Sequence, residues 1–354
     1  MATRLISVVT ARKGSNKQLD KKGIFKESFI LASLKQNRRQ IKLRIMKRRN
    51  FLRNTLTVAA SAATFGHVTA SSLDQSSRNL VAPAEKPFTL LFGPHQGTFE
   101  NHAGKNFVDQ IKFMHEMGFR SIEDNGMLKR PKEEQNNIGV TLSKLGMTMG
   151  VFVVDGGDNW KVSLTTGKQE FKDVFVKTCK DCVELAKRVN AKWMTVVPGF
   201  FDRSIPMGIQ TANVVDALRR GAEIFEPHGL IMVLEPLSDT PELFMRYSDQ
   251  TFELCKAVNS PSCKILFDIY HMQRNEGNLI NNIDRCWDEI AYFQIGDNPG
   301  RKEPTSGEIN YKNIFKHVHD KGYRGVWGME HGNAKPGKEG ELALIKAYRE
   351  SDYA

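Results

Sequence analysis

The stretch "KILFDIYHMQ", residues 264–273, has an apolar run that ends in Asp268, and His271 follows three residues later. A short apolar run bounded by polar residues is typical of a buried strand, so we predict a strand over residues 264–268. A carboxylate at the end of such a strand is costly to bury unless it is paired or binds a cation.

Other short apolar runs alternate with helical patterns along the chain, and several of these patterns end in glycine. Together with 264–268, the predicted strands are residues 88–92, 120–123, 148–154, 193–197, 230–235, 291–295 and 325–330. Eight such units of roughly thirty residues favour a single (β/α)8 TIM barrel over residues 87–354 rather than an open doubly wound sheet. No GxGxxG motif follows the first strand, and no GxxxxGK[ST] motif occurs, so the sequence does not support a nucleotide-binding variant of this fold class.

The net charge of +11 is concentrated at the start of the chain. Residues 1–54 hold 16 of the 51 Lys and Arg residues but 2 of the 40 acidic residues, which leaves the remainder slightly acidic. The basic composition is therefore no evidence for a nucleic-acid partner, and we expect none.

Residues 46–70, "MKRRNFLRNTLTVAASAATFGHVTA", have the pattern of a twin-arginine signal peptide. The pair Arg48 and Arg49 precedes an uncharged run, and a small-residue cleavage site ends at Ala70. The alternative is a disordered basic tail that contains an arginine pair by chance. The signal interpretation predicts that the twin-arginine export machinery carries the folded protein to the periplasm or the outside of the cell.

Two further segments follow from this interpretation. Residues 1–45 are predicted to be a non-native or disordered extension, with Met46 as the initiator, and residues 71–86 a Ser-rich linker. The run after the arginine pair is too short for a stable membrane span, and no later stretch reaches about 18 apolar residues.

The cysteine pattern gives little support for a metal or redox site. Cys179 and Cys182 fall within one amphipathic helical pattern, and no second Cys or His cluster completes a zinc site. Core packing or unreactive surface thiols are the favoured interpretation.

Four consecutive predicted strands end in or carry an oxygen-bearing side chain: Glu235, Asp268, Gln294 and Glu330. The carboxyl ends of barrel strands meet at one mouth, so we expect these side chains to converge there. Each one alone could equally be a helix cap or a loop residue in solvent. Three carboxylates crowded at a mouth repel one another unless a cation neutralises them, and oxygen ligands favour Mg²⁺ or Mn²⁺ over Zn²⁺.

Several motifs in the second half of the chain resemble the hydroxypyruvate isomerase family within the xylose isomerase-like barrel superfamily. They are "LEPL" at 234–237, "FDIYHMQRNEGNLI" at 267–280, "QIGDNPGRKEPTSGEINY" at 294–311 and "GMEHG" at 328–332. The resemblance implies that Glu235, Asp268, Gln294 and Glu330 hold one divalent metal ion. It further implies that His271 and Arg301 contact the substrate.

A metal beside Glu235 and Glu330 suits proton abstraction next to a carbonyl, with the two carboxylates as the acid and base pair. With a small hydroxy aldehyde as substrate, this chemistry is an aldose–ketose interconversion through an enediolate. The interconversion of hydroxypyruvate and tartronate semialdehyde is an example. The main alternative is a ketose 3-epimerase or another carbohydrate isomerase of the superfamily. An apurinic endonuclease and an exported, non-catalytic sugar-binding barrel are less favoured.

Polar residues of the first half of the barrel received no firm role. Glu123 and Asp124 end the second predicted strand and could reach the pocket, but a capping or loop role is as well supported.

Overall fold

The computed structural model describes residues 85–352. The extension predicted at 1–45, the signal peptide predicted at 46–70 and residues 71–84 of the predicted linker lie outside this range. Within it, no helix combines the length and the apolar character that a membrane span requires.

Nine short strands form two parallel sheets among the described residues. The strands are β1 (Leu91–Pro94), β2 (Ser121–Ile122), β3 (Thr148–Met149), β4 (Phe152–Val153), β5 (Trp193–Val196), β6 (Ile231–Leu234), β7 (Cys263–Asp268), β8 (Ile290–Gln294) and β9 (Val326–Met329). The larger sheet has the order β1-β9-β8-β7-β6-β5-β4, and β2 pairs with β3 in the smaller one. The amide of Glu123, just after β2, donates to the carbonyl of Pro94 in β1 over 3.1 Å, which ties the two sheets together.

Helices connect successive strands, except that β3 and β4 follow each other directly. They are α1 (Glu100–Ala103), α2 (Phe107–Glu116), α3 (Lys132–Leu145), α4 (Gln169–Val189), α5 (Met207–Phe225), α6 (Ser248–Val258), α7 (Ile269–Asn275), α8 (Leu279–Cys286), α9 (Tyr311–Asp320) and α10 (Gly337–Ser351). In α5, Val214, Leu218 and Ala222 recur every four residues and are buried, as expected for a helix with one face on the sheet. The alternation of strands and helices gives a TIM-barrel-like parallel α/β fold, which agrees with the α/β class of the predicted barrel.

Two predicted strands differ in their bounds. The run at 88–92 enters the sheet only at Leu91, because the amides of Thr89 and Leu90 donate to the carboxylate of Asp352 instead of to a neighbouring strand. The run at 148–154 divides into β3 and β4, which pair with β2 on one side and β5 on the other. The predicted positions of the other strands agree with the structure to within three residues.

All five cysteines are free and buried, consistent with core packing. Cys179 and Cys182 lie on the buried face of α4.

A small apolar cluster draws one residue from each of five strand segments, and it sets the position of the polar residues above it. Its members are Val151, Val233, Leu266, Tyr292 and Val326, all fully buried. Because side chains alternate between the two faces of a strand, residues two positions further on point to the same side. Val233, Leu266 and Tyr292 are followed at that spacing by Glu235, Asp268 and Gln294. The alternation therefore places three polar side chains in the next layer toward the carboxyl ends of the strands.

We expect Gly139→Ala to lower the free energy of unfolding by roughly 1–3 kcal/mol. A Cβ at Gly139 in α3 would overlap the backbone carbonyl of Arg188 in α4, so the two helices would have to separate. Gly208→Ala is the matched control, because Gly208 is exposed near the start of α5 and an added Cβ has no heavy atom within 4 Å. Urea denaturation of both variants measures the difference. Equal effects would contradict close packing at Gly139.

Candidate active site

The four polar residues predicted at the strand ends lie at the carboxyl ends of neighbouring strands. Glu235 follows β6, Asp268 ends β7, Gln294 ends β8 and Glu330 follows β9. Asp268 pairs in register with Gln294, and Gln294 pairs with Gly328, two residues before Glu330. The parallel register thus brings these side chains to one level at one mouth of the fold.

Asp268 has two structural tasks because it ends β7 and is also the N-cap of α7. Its Oδ1 accepts hydrogen bonds from the amides of Tyr270 at 2.7 Å and His271 at 3.3 Å. Its Oδ2 faces the mouth and accepts from Nη2 of Arg301 at 3.3 Å. The side chain has no exposed surface, so the cap holds one oxygen while the other remains available to the site.

Glu330 is held from two sides. Its Oε1 accepts from Nδ2 of Asn125 at 2.7 Å, and its Oε2 accepts from Nη2 of Arg301 at 2.9 Å. Burial raises the pKa of Glu330 to about 7, against the opposing effect of the Arg301 charge and with a further increase from Asp268. Its carboxyl group can therefore exchange a proton near neutral pH.

Two of the four predicted metal-holding residues have a buried oxygen without a hydrogen-bond partner: Oε1 of Glu235 and Oε1 of Gln294. Burial raises the pKa of Glu235 well above its usual value, and the negative charges of Glu330 and Asp268 raise it further. Buried polar atoms are nearly always satisfied, so two unpartnered oxygens in one place call for a ligand.

Ligand atoms of Glu235, Asp268, His271 and Glu330 all lie within 4.8 Å of one another. This spacing, together with the unpartnered oxygens, fits a divalent cation bound by oxygen ligands. The residues present therefore suit a divalent cation.

His271 lies in the first turn of α7, is fully buried and has a defined tautomer. The backbone amide of Ser238 points at its Nδ1 over 3.2 Å, and the Ser238 hydroxyl lies 2.8 Å from the same nitrogen. Since an amide can only donate, Nδ1 is the acceptor, and the neutral ring carries its proton on Nε2. Burial lowers the pKa of His271, which favours the neutral ring.

The Nε2 atom of His271 has no hydrogen-bond partner and lies 3.8 Å from Oε1 of Glu235 and 3.6 Å from Oδ2 of Asp268. With a proton on it, this nitrogen is a hydrogen-bond donor that faces the site. A metal ligand would need a lone pair there, so the geometry favours contact with a substrate oxygen over metal ligation.

Arg301 is positioned by the loop after β8. Its backbone has a positive φ of 49°, and its amide donates to the carbonyl of Asp297 at 2.7 Å. Its Nε donates to the carbonyl of Glu330 at 3.0 Å, which aims the remaining guanidinium nitrogens at the carboxylates. Burial alone would lower the pKa of Arg301, but the charges of Asp268 and Glu330 raise it above its usual value.

A cavity of 370 Å³ opens above these residues. Its lining combines Glu235 and Glu330 with His271 and Arg301, and residues from three loops complete it: Asn125, Lys129, Asp155, Asn159, Trp160 and Asp239. The volume admits a small-molecule ligand, and the polar side chains of the wall suit hydroxyl and carboxylate groups.

Three residues of the site were missed or left without a role at the sequence level. Asn125 follows β2, and Ser238 follows β6 in the "LEPLSDT" loop. Both residues lie just past the carboxyl end of a strand, and this position is the sequence feature that could have indicated a role in the site. Glu123 is not a cap: it is fully buried, and its carboxylate accepts hydrogen bonds from Tyr292 and Gln294, each over 2.7 Å. Asp124 does have a loop role, since its carboxylate accepts from the amide of Gly126.

We expect the stability of the metal-free protein to fall, relative to Glu330→Gln, as the pH rises from about 4.5 to about 7. The raised pKa means that folded Glu330 keeps its proton in this window while the unfolded chain releases it. The stabilisation that this proton provides is complete at pH values below the pKa of Glu330 in the unfolded chain. It is lost as the pH rises through the pKa of Glu330 in the folded protein. Because the charge of Glu330 also raises the pKa of Glu235, the comparison reports the proton held by these two carboxyl groups together.

Urea denaturation in a chelating buffer at pH values from 4 to 8 measures this difference. A difference between the two proteins that stays constant over the whole range would contradict the raised pKa of Glu330.

Comparison with known proteins places the chain in a family. A model of the xylose isomerase-like TIM barrel family matches residues 111–350. Hydroxypyruvate isomerase of Escherichia coli (strain K12) is 33% identical over 249 residues, which cover 69% of this chain and 90% of that protein. The 2-oxo-tetronate isomerase of Cupriavidus necator is 26% identical over 258 residues, or 71% of this chain and 95% of that protein.

Among solved structures, a family 2 AP endonuclease from Brucella melitensis has a TM-score of 0.62 and 24% identity, with 73% of this chain and 98% of that chain covered. This level of likeness shows the fold alone. The sequence relatives carry the family assignment, and they are named as isomerases. The chain belongs to the hydroxypyruvate isomerase family within the xylose isomerase-like TIM barrels, and it is an isomerase.

Proposed function

We propose that the protein is a divalent-metal-dependent isomerase of a small 2-oxo hydroxy acid, in the manner of hydroxypyruvate isomerase. The observation that carries the proposal is the pair of unpartnered buried oxygens, on Glu235 and Gln294, beside a carboxyl group whose pKa is raised to about 7. Such a site can hold a cation and exchange a proton with a carbon acid in one small cavity.

Glu235, Asp268, Gln294 and Glu330 are the proposed metal-holding residues. Mg²⁺ or Mn²⁺ suits them because all four offer oxygen. When bound, the cation would polarise the carbonyl and the adjacent hydroxyl of the substrate, which makes the neighbouring C–H group more acidic.

The proposed reaction moves hydrogen between two adjacent carbons. A proton leaves the hydroxymethyl carbon of the 2-oxo acid, and a proton is added to the former ketone carbon, while the hydroxyl proton passes from one oxygen to the other. The product is a 2-hydroxy aldehyde acid with the same atoms. No external reductant or oxidant is needed, because one carbon is oxidised as its neighbour is reduced.

Glu235 and Glu330 are proposed to act as the acid and base. Strands β7 and β8 separate β6 from β9 in the sheet, so the two carboxylates reach the cavity from different sides. Asn125 and Arg301 fix the carboxylate plane of Glu330 through one hydrogen bond to each oxygen. That orientation suits Glu330 for receiving and returning a carbon-bound proton.

His271 and Arg301 are proposed to bind the substrate. The Nε2–H of His271 can donate to the oxygen that gains negative charge during the proton transfer. The guanidinium of Arg301 can hold a carboxylate, and it is already anchored by its bond to the Glu330 carbonyl.

The two relatives support a 2-oxo acid substrate, because hydroxypyruvate and 2-oxo-tetronate both have a ketone next to a carboxylate. A ketose 3-epimerase uses the same parts to invert one carbon instead. The substrate test below distinguishes the two.

We expect the purified protein with Mn²⁺ to incorporate solvent deuterium from D₂O into hydroxypyruvate or 2-oxo-tetronate, at the carbon next to the ketone. Glu235→Gln and Glu330→Gln should each lower the rate by on the order of 10²- to 10⁴-fold, because each removes a proton-transfer group. Glu253→Gln, at an exposed position on α6, is the matched control and should keep full activity. Proton NMR follows the exchange.

Ketoses are included in the same assay. Exchange in a ketose with inversion of its C3, and none in the 2-oxo acids, would favour the epimerase. The absence of exchange in every compound by metal-loaded protein would contradict both functions.

We expect His271→Gln to lower turnover by roughly 10²-fold while the affinity for Mn²⁺ stays within about twofold of wild type, since His271 is proposed to donate to the substrate. Asp268→Asn is the contrasting variant. The amide oxygen of this variant can still cap α7, but the negative charge of the carboxylate at the mouth is lost. Mn²⁺ binding should therefore weaken strongly. Calorimetric titration of the metal-free proteins measures both affinities. A large loss of Mn²⁺ affinity in His271→Gln would show that His271 is a metal ligand.

A further inference from the structure

Glu123 is a buried carboxylate inside the fold, one layer below the mouth. Its side chain has no exposed surface. Three donors surround it: the Nε2 atoms of His95 and Gln294 each lie 2.7 Å from its Oε1, and the hydroxyl of Tyr292 lies 2.7 Å from its Oε2. The carboxylate contacts one proposed metal-holding residue, Gln294, through a single hydrogen bond.

That bond decides which end of the Gln294 amide faces the site. The carboxylate oxygen of Glu123 accepts this hydrogen bond, and an amide –NH₂ group can only donate, so Nε2 of Gln294 points to Glu123. The oxygen of the same amide is then turned the other way, and it is the buried oxygen without a partner. With the amide reversed, Oε1 would face the carboxylate and –NH₂ would face the proposed cation, which are two repulsive contacts.

The surroundings reserve space for this carboxylate. Gly328 in β9 lies opposite Gln294, and a Cβ at Gly328 would overlap the carboxylate of Glu123. The Tyr292 hydroxyl comes from the inner face of β8, two residues before Gln294 on the same side of the strand. Strands β8 and β9 and the loop after β1 therefore contribute to a pocket that fits one carboxylate.

We propose that Glu123 is a positioning residue that holds the amide oxygen of Gln294 toward the cation site. The inference rests on the proposed metal-dependent function, and it assigns to Glu123 a role that depends on the direction of one hydrogen bond. Glu123 acts through Gln294 and does not itself touch substrate or metal.

The first test is Glu123→Gln. Its amide has the same shape but can offer either oxygen or –NH₂ to Gln294, so the fixed orientation is lost. We expect a 10- to 100-fold weaker affinity for Mn²⁺, the range seen when outer partners of metal ligands are removed. Calorimetric titration of the metal-free protein gives the affinity without any measurement of turnover.

A matched control separates this effect from the loss of any buried carboxylate. Glu341 is also fully buried, and it accepts hydrogen bonds from the backbone and side chain of Asn101, none of which involve the site. Glu341→Gln should therefore keep the wild-type affinity for Mn²⁺.

The double variant Glu123→Gln with Gln294→Glu exchanges the amide and the carboxylate between the two positions, so one side chain again donates and the other accepts. The amide of the new Gln donates to the new carboxylate, whose second oxygen faces the site, and the total buried charge is unchanged. We expect it to recover Mn²⁺ affinity to at least the wild-type level. Because a carboxylate at position 294 can itself strengthen cation binding, the role of Glu123 requires the double variant to bind Mn²⁺ more tightly than Gln294→Glu alone, in which the two carboxylates repel each other.

The outcomes are distinct. Wild-type affinity in Glu123→Gln, or no recovery in the double variant, would overturn the role of Glu123 and leave the proposed function standing. No binding of Mn²⁺ by the wild-type protein would refute the proposed metal-dependent function and this role with it.

Thermal unfolding of each variant establishes that it is folded. If Glu123→Gln does not fold, Glu123→Asp replaces it, because that variant keeps the charge but withdraws the carboxylate from Gln294 by one carbon–carbon bond. We expect the same loss of Mn²⁺ affinity from it, and unchanged affinity would overturn the proposal.

Discussion

The compensation of buried negative charge at the carboxyl ends of β6 to β9 is the constraint on which the site depends. Glu235, Asp268 and Glu330 have oxygens within 4.8 Å of one another. Two like charges at such a distance repel by about 3 kcal/mol for an effective dielectric constant of about 20. Arg301 supplies one positive charge, and the raised pKa values of Glu235 and Glu330 show that it does not suffice. A divalent cation would supply the two charges that remain.

The fold class and the level of the site follow from patterns that the sequence displays directly. Short apolar runs alternate with helical patterns, and this alternation predicts parallel strands with crossover helices. The position of Asp268 follows from the strand period, because Leu266 packs in the inner cluster and the residue two places later shares its face. The same reasoning applies to Glu235 after Val233 and to Gln294 after Tyr292. The positions of these residues at strand ends, together with the rule that the strand ends of a barrel meet at one mouth, were enough to predict that they converge.

The remaining features depend on contacts between distant parts of the chain, which no local pattern contains. Asn125 binds Glu330 from 205 residues away, and Glu123 binds Gln294 from 171 residues away. The tautomer of His271 depends on one amide in another loop, that of Ser238. Strand bounds also depend on such contacts. The amides of Thr89 and Leu90 donate to the carboxylate of Asp352, so these two residues are not part of β1. Side chains of these types are as frequent in helix caps and loops as in functional sites. Only the assembled structure therefore distinguishes a functional role from a structural one.

The central claim is that a divalent cation neutralises these carboxylates, and linkage between metal, proton and folding tests it most directly. Protons and the cation compete for the same oxygens, so the account predicts that saturating Mn²⁺ stabilises the protein against urea much more at pH 8 than at pH 5. The measurement is the free energy of unfolding of chelated and Mn²⁺-saturated protein at both pH values. No stabilisation at pH 8, or equal stabilisation at both pH values, would contradict the account.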